Sequence, residues 1–303
     1  MSVKAVTLEN LSCVWPAEAL LGEGPVWDHA LQAVWWTDIK GKQLHRYDTK
    51  TAEKKSWSSP EMIGSFAKAE GARFVAATRT GFAWLDVEDG KPEVSIAPIH
   101  DPEKKLPGNR FNDGKCDPLG RFWAGTMDDA EQEDTGNWWL LDEKLACHQL
   151  AGGFGVTNGP AFDASLSRVY FTDSKYQRIF AADLTLEGFA NKRLFRQFEP
   201  GFGYPDGMTV DREGGLWVAF WAGSKICRLD PKSAETVATI EMPVPQPTSI
   251  VFGGAEGKTA FVTSARAGLS ATKIDKAPLS GGLFQLDFDR PLMLPAASFK
   301  QSV

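Results

Sequence analysis

The sequence predicts a nearly all-β protein, a six-bladed β-propeller with four-stranded antiparallel blades, and three observations lead to this fold class. Short runs rich in Trp, Phe, Val and Tyr recur between clusters of Asp, Gly and Pro, which is typical of strands separated by turns. Helical i, i+3, i+4 periodicity is hard to find over any window of a dozen residues. The strands also recur in units of roughly 40 to 50 residues, which is the period of propeller blades.

The repeat is clearest in four segments that each place a polar anchor residue five positions before an aspartate. These segments are GEGPVWD, FNDGKCD, TNGPAFD and PDGMTVD, and each aspartate is predicted to begin a turn. Weaker copies surround a serine and a threonine in the gaps. The six anchors are Glu23, Ser65, Asn112, Asn158, Asp206 and Thr248, and they step by 42, 47, 46, 48 and 42 residues. Six anchors predict six blades.

The amino-terminal segment containing LSCVW is predicted to add a strand to the last blade and close the ring, because closure removes an open sheet edge. The prediction is therefore a single propeller domain over residues 1–303. A large β-sandwich also has many short strands, but it gives no reason for an interval near 45 residues.

Composition limits the partners and the location that we expect. The chain has 33 Lys and Arg against 39 Asp and Glu, a net charge of −6 and a pI near 5.4. Nucleic acids and anionic membranes normally bind a basic face, so a small molecule is the expected partner. The amino terminus lacks the apolar core of a signal peptide, and the four cysteines lack C-x-x-C spacing. We expect a cytoplasmic protein with reduced thiols, as a monomer or weak dimer that does not span a membrane.

The anchors also predict a metal site. If equivalent positions of six blades meet at the propeller axis, Glu23 and Asp206 come close together, and two carboxylates repel unless a cation lies between them. Carboxylate and amide oxygens suit Ca²⁺, Mg²⁺ or Mn²⁺, and Zn²⁺ or Fe²⁺ are also compatible. The alternative is that these residues only satisfy turns, as Asp and Asn before Gly often do. The four histidines have no short ligand spacing, so we expect no histidine-built site.

Five motifs in order resemble the senescence-marker-protein/gluconolactonase family, which includes regucalcin and bacterial sugar lactonases. They are LGEGPVW, NRFNDGKCDPLGRFWAGTM, TNGPAFD, YPDGMTVD, and TSARAGLS followed by GGLF, and they extend along nearly the whole chain. The resemblance implies a six-bladed propeller with one divalent cation held by Glu23, Asn158 and Asp206, and Ca²⁺ is the ion that we expect first. These are the residues that the repeat had already placed in one register.

The resemblance also implies substrate contacts from Arg110 and Asn112 in the NRFND segment. An arginine fork and an amide can together bind adjacent sugar hydroxyls. A further acidic position of the family follows the GTM motif, where Asp129 and Glu131 are both candidates; we predict Glu131 as a substrate-binding residue. A solvated acidic loop is the alternative for DDAEQED, and Asp113 is more simply explained as a turn residue.

The predicted function is a metal-dependent sugar lactonase, a carboxylic ester hydrolase that opens an aldonolactone of the gluconolactone, xylonolactone or arabinonolactone type. The cation would polarise the ring carbonyl, and either Asp206 or the cation would activate water. HDPEKKLPGNR, from His100, is a candidate lid. Two alternatives use the same ligands: a calcium-binding regulatory propeller without turnover, and a metal-dependent esterase or phosphotriesterase. The chain has no G-x-S-x-G nucleophile motif and no dinucleotide-binding G-x-G-x-x-G.

Overall fold

The computed structural model describes residues 5–71 and 73–302. Within these residues the strands form six four-stranded sheets, which we number as blades one to six in chain order. A single α-helix, α1 (Ala271–Lys276), and two 3₁₀ turns, Ala164–Leu166 and Ser174–Tyr176, are the helical elements of this part of the chain. The strong bias toward strands confirms the nearly all-β prediction.

The first strand of the chain, β1 (Leu8–Trp15), precedes blade one. Blade one contains β2 (Gly22–Asp28), β3 (Ala33–Asp38), β4 (Gln43–Asp48) and β5 (Lys54–Ser58). Blade two contains β6 (Ile63–Lys68), β7 (Phe74–Thr78), β8 (Gly81–Asp86) and β9 (Ser95–His100). Blade three contains β10 (Asn109–Cys116), β11 (Phe122–Asp128), β12 (Gly136–Leu141) and β13 (Cys147–Phe154).

Blade four contains β14 (Thr157–Asp163), β15 (Arg168–Asp173), β16 (Arg178–Thr185) and β17 (Gly188–Gln197). Blade five contains β18 (Tyr204–Val210), β19 (Leu216–Trp221), β20 (Lys225–Leu229) and β21 (Thr236–Glu241). Blade six contains β22 (Pro247–Gly253), β23 (Thr259–Ser264) and β24 (Leu283–Phe288). Its fourth strand is β1, which pairs antiparallel with β24. The six sheets confirm the predicted fold class, a six-bladed β-propeller, and the pairing of β1 is consistent with closure by the amino-terminal strand.

The described chain falls into two compact units. One unit holds blades five and six and most of blade one. In its core, Trp217 packs edge-on against Phe252 and Phe288, with ring centroids 5.7 and 5.3 Å apart. Within the described residues, no helix is long and apolar enough to cross a membrane. The prediction of a single domain over residues 1–303 stays a prediction.

The other unit holds blades two, three and four and the carboxyl-terminal residues. Its core includes Phe82, which contacts Phe111 at 4.8 Å and Phe122 at 5.9 Å between ring centroids. Phe299 is fully buried in the same cluster, and its backbone N–H donates to the carbonyl of Lys68. The carboxyl-terminal segment therefore packs against blade two.

The turn predicted after each anchor is present. Asp28, Asp117, Asp163 and Asp211 each accept backbone N–H groups from residues two to four positions further on. In blade five the same carboxylate also accepts the indole N–H of Trp217 at 2.7 Å and the Nε–H of Arg228 at 2.7 Å. Here the turn residue also neutralises a fully buried arginine.

We predict that Asp211→Ala lowers the free energy of unfolding by about 3–5 kcal/mol, because it leaves the buried guanidinium of Arg228 without its nearest carboxylate. The two side chains are 2.7 Å apart, and neither is exposed. Asp86→Ala is the matched control, since Asp86 pairs with Arg73 at 2.8 Å on the surface, where such pairs contribute little. Urea denaturation of both variants measures the difference, and equal losses would contradict the prediction.

His45 makes the stability depend on pH. It lies on β4 with its ring 4.2 Å from that of Trp36 and 5.1 Å from that of Trp15. Burial lowers the pKa of His45 to about 4 against a smaller opposing effect of Asp38. The folded state therefore keeps this ring neutral where the unfolded chain takes up a proton.

We predict that the free energy of unfolding falls as pH drops from 6.5 toward about 4, by at most about 3 kcal/mol from this residue. The sign follows because the unfolded chain binds more protons than the folded chain in this window. Denaturation of wild type and His45→Leu between pH 7 and pH 4 tests it. A slope that is unchanged in the variant would show that another group is responsible.

Candidate active site

A β-bulge lies at the anchor of every blade. In blade one, Glu23 pairs with Thr37, and the next pair is Val26 with Trp35. Between these two pairs β2 advances three residues while β3 advances two, so β2 contains one extra residue. One extra residue also occurs beside the anchor in the other five first strands: three steps oppose two in blades three, four and five, and two steps oppose one in blades two and six. Bulges bend a strand and redirect its side chains, and they are common beside active sites. The sequence repeat therefore corresponds to a repeated distortion of the backbone.

The six anchor side chains are polar and buried. Their exposed fractions are 5% for Glu23, 0% for Ser65, 7% for Asn112, 4% for Asn158, 5% for Asp206 and 0% for Thr248. A buried polar group is costly unless it is hydrogen-bonded or binds a ligand. Six such groups at equivalent positions make the anchors the candidate site.

The two anchor carboxylates share a local geometry. The N–H of Gly24 donates to Oε2 of Glu23 at 3.1 Å, and the N–H of Gly207 donates to Oδ1 of Asp206 at 3.0 Å. One oxygen of each carboxylate is thus held against its own bulge. Gly207 is required here because a Cβ would lie 2.1 Å from Oγ of Ser249.

The two anchor amides are joined directly. Nδ2 of Asn112 donates to Oδ1 of Asn158 at 2.7 Å and to the carbonyl of Thr157 at 2.8 Å. Nδ2 of Asn158 donates to Oγ of Ser174 at 2.9 Å. The carbonyl of Thr157 can only accept, so the group of Asn112 that faces it is the NH₂. The atom of Asn158 that accepts from Asn112 is therefore Oδ1, and its Nδ2 faces Ser174.

The predicted substrate arginine joins the same network. Nη1 of Arg110 donates to Oδ1 of Asn112 at 2.7 Å, and its Nε donates to Oδ1 of Asp129 at 2.7 Å. Nη1 of Arg79 donates to the other oxygen of Asp129 at 3.0 Å. Burial by itself raises the pKa of Asp129. Hydrogen bonds and charges from Arg110 and Arg79 outweigh burial and lower this pKa below its usual value.

Asp113 is buried beside the anchor of blade three. Its two oxygens accept the N–H groups of Gly114 at 2.7 Å and Gly159 at 3.0 Å. Burial raises its pKa to about 6, although Lys115 and these N–H groups act in the opposite direction. Asp113 thereby links the bulge of blade three to the glycine that follows Asn158.

The candidate lid is tied to blade three. Oε1 of Glu103 accepts hydrogen bonds from Thr126, Asn137 and Trp139 at 2.7–2.9 Å, and its Oε2 accepts one from Asn109 at 2.6 Å. One carboxylate therefore holds the turn that precedes Arg110.

The side chain of Glu131 makes no hydrogen bond to this network among the described residues. It is exposed, has a positive φ of 58°, and its backbone N–H donates to the carbonyl of Asp128. Between the two acidic candidates, Asp129 is the one that the structure joins to Arg110. A substrate contact of Glu131 stays a prediction.

The structure thus brings Arg110, Asn112 and Asn158 together in one unit, while Glu23 and Asp206 occupy equivalent bulges in the other. Among residues 5–71 and 73–302, no group of three or more His, Cys, Asp or Glu side chains is placed to hold a metal. The predicted ligand set contains only two such residues and an asparagine. Sequence reasoning missed Arg79 and Ser174, which stand in no motif, and it gave Glu103 no role beyond its place in the candidate lid.

The comparisons with known proteins identify the family. Residues 21–266 match the model of the SMP-30/Gluconolactonase/LRE-like region. The protein belongs to this family. The chain is 33% identical over 286 residues to regucalcin from Oryctolagus cuniculus, and the match covers 91% of this chain and 94% of the relative. It is also 33% identical over 278 residues to 6-deoxy-6-sulfogluconolactonase from Pseudomonas putida, with the same coverage of both chains.

The fold of this family member is also that of a solved calcium-binding protein, regucalcin from Agrobacterium tumefaciens. The TM-score is 0.88 and the identity 26%, and the match covers 96% of this chain and 97% of the other.

We predict that Asn112→Leu lowers the free energy of unfolding by about 1–3 kcal/mol, because it leaves buried groups of Arg110 and Asn158 without a partner. Asn10→Leu is the control, since Asn10 makes an exposed 3.3 Å hydrogen bond to Asp287. Urea unfolding of both variants should show the larger loss for Asn112→Leu. A loss no greater than that of the control would contradict the inferred network.

Proposed function

We propose that the protein is a metal-dependent hydrolase that opens the ester ring of a sugar aldonolactone to the aldonic acid. The family membership supports this reaction class, as does the relative named 6-deoxy-6-sulfogluconolactonase. The observation that carries the proposal is the buried chain from Arg110 through Asn112 to Asn158, which joins a cationic hydrogen-bond donor to an amide oxygen. Donors and acceptors arranged this way suit a polyhydroxylated ester.

The proposed ligands of the cation are Glu23, Asn158 and Asp206. Their donor chemistry fits, since carboxylate and amide oxygens are the hard ligands that Ca²⁺ prefers; Mg²⁺, Mn²⁺, Zn²⁺ and Fe²⁺ are also accommodated. Oδ1 of Asn158 accepts one hydrogen bond from Asn112, and a carbonyl oxygen has a second lone pair for a cation. A bound divalent cation would act as a Lewis acid on the lactone carbonyl.

The proposed roles of the protein side chains follow from their bonds. Nη2 of Arg110 has no hydrogen bond to any residue that the structure describes, so it can donate to the substrate. Asn112 would lie beside it, and Glu131 would contact the sugar from the rim. The side chain of Arg110 is only 3% exposed, so a hydroxyl or carboxylate bound there would be shielded from water.

Asp206 is the proposed general base. It would take a proton from water as the water oxygen bonds to the carbonyl carbon, and then return the proton to the ring oxygen as the ester bond breaks. The balance is one water consumed per lactone, and no covalent nucleophile is needed. The hydrogen bond from Gly207 fixes one carboxylate oxygen and with it the direction of the other.

A second candidate is a calcium-binding protein without turnover. The solved regucalcin from Agrobacterium tumefaciens is named a calcium-binding protein, and the relative from Oryctolagus cuniculus has the same name, regucalcin. These names support the second candidate. Both candidates require the cation, but only the first requires hydrolysis.

We predict that chelation abolishes lactone hydrolysis, that added divalent cations restore it, and that Asp206→Ala lowers kcat/KM by at least about 100-fold while the protein remains folded. A pH-indicator assay over a panel of aldonolactones measures all three effects. Glu241→Gln is the control, because Glu241 is an exposed carboxylate on the outer strand of the same blade.

Full activity after chelation would contradict the metal dependence. Cation binding by calorimetry without hydrolysis of any lactone in the panel would favour the calcium-binding alternative.

A further inference from the structure

Asp129 lies between two arginines, directly after β11. Its Oδ1 accepts the Nε–H of Arg110 at 2.7 Å, and its Oδ2 accepts an Nη1–H of Arg79 at 3.0 Å. We propose that Asp129 is a positioning residue that orients Arg110 toward the lactone, and that Arg79 keeps this cluster positively charged so that it also binds the aldonate product. The proposal rests on the substrate role proposed for Arg110.

The bonds of Arg110 explain how it would be oriented. Nε donates to Asp129, and Nη1 donates to the carbonyl of Phe111 at 3.1 Å and to Oδ1 of Asn112 at 2.7 Å. Bonds on Nε and Nη1 fix the plane of the guanidinium. The direction of Nη2 is then fixed as well, because it lies in the same plane. Nη2 has no hydrogen bond to the described residues. Without Asp129 the long side chain would be held at one nitrogen only.

Asp129 is itself held in place. Its backbone N–H donates to the carbonyl of Gly108 at 3.0 Å, and the preceding residue Asp128 pairs with Asn109 across β10 and β11. The turn before Asn109 is fastened by the four hydrogen bonds of Glu103. The carboxylate of Asp129 therefore extends from a fixed backbone, as a positioning residue requires.

The second arginine changes the charge. Asp129 and Arg110 alone would form a neutral pair, whereas two guanidinium groups around one carboxylate leave one positive charge. The aldonolactone is neutral and the aldonate carries one negative charge. Removing the charge of Arg79 should thus weaken aldonate binding more than lactone binding. The side chain of Arg79 is 35% exposed, so solvent screens part of this effect.

A double-mutant cycle tests the positioning role. We expect Asp129→Asn to raise KM about tenfold with a smaller change in kcat, since ground-state binding is what it weakens. We expect Arg110→Ala to raise KM at least as much, and the double variant to be no more than about twofold worse than Arg110→Ala, because residues that act through each other are not additive. If the increases in KM from the two single substitutions multiply in the double variant, the two residues act independently and the proposal is overturned.

The same cycle measured by calorimetry with gluconate separates this inference from the proposed reaction. A wild type that binds gluconate but hydrolyses no lactone would refute the hydrolase, while a non-additive cycle in gluconate affinity would still support the positioning role. An Arg110→Ala variant with unchanged KM and gluconate affinity would overturn the positioning role and the substrate role together. Asp129→Ala replaces Asp129→Asn in the cycle if the latter does not fold. Asp129→Glu retains the carboxylate and should bind gluconate better than either variant that lacks it.

The role of Arg79 has its own matched pair of variants. Arg79→Met should weaken gluconate binding about fivefold and by a larger factor than it raises the lactone KM. Arg73→Met removes the same charge from the same blade, where Arg73 pairs with Asp86, and it should change neither value. Arg79→Lys retains the charge and should stay close to wild type in gluconate affinity. Equal effects of the Arg79→Met and Arg73→Met substitutions would overturn the specific role of Arg79.

Discussion

One backbone constraint underlies the candidate site: the first strand of every blade contains a residue more than its partner strand at the anchor position. The bulge turns a polar side chain out of the regular alternation of the strand, and the ladder resumes beyond it. Glycine follows four of the six anchors within two residues, and at two of these positions the backbone explains why. Gly24 has a φ of 54°, and a Cβ on Gly207 would collide with Ser249.

Burial of the anchors then requires partners, and the hydrogen-bond network of blades three and four supplies them for Asn112 and Asn158. Arg110, Asn112, Asn158 and Ser174 form a chain of bonds 2.7–2.9 Å long. The proposed substrate-binding arginine is thus connected to the proposed cation ligand through a single amide. Asn112 accepts from Arg110 and donates to Asn158, so one amide side chain holds both neighbours in place.

Aspartates have two distinct roles, and their position in the repeat separates them. Asp206, at the anchor, is a proposed ligand and base, while Asp211, five residues later, stabilises the turn and neutralises a buried arginine. Loss of the first should affect the reaction, whereas loss of the second should affect stability. Asp113 shows that one position beside an anchor can also join two blades, through the N–H of Gly159.

The sequence by itself determined the number of blades, the anchors and the turn aspartates, because each depends on a local pattern that recurs with a constant period. Only the tertiary structure decided the partners of Arg110. Asp129 stands 19 residues from Arg110 and 50 from Arg79, and Glu103 reaches Trp139 across 36 residues. Such contacts depend on how loops from different strands meet, and no periodicity records them. For the same reason the acidic run after GTM could not show that Asp129, rather than Glu131, binds Arg110.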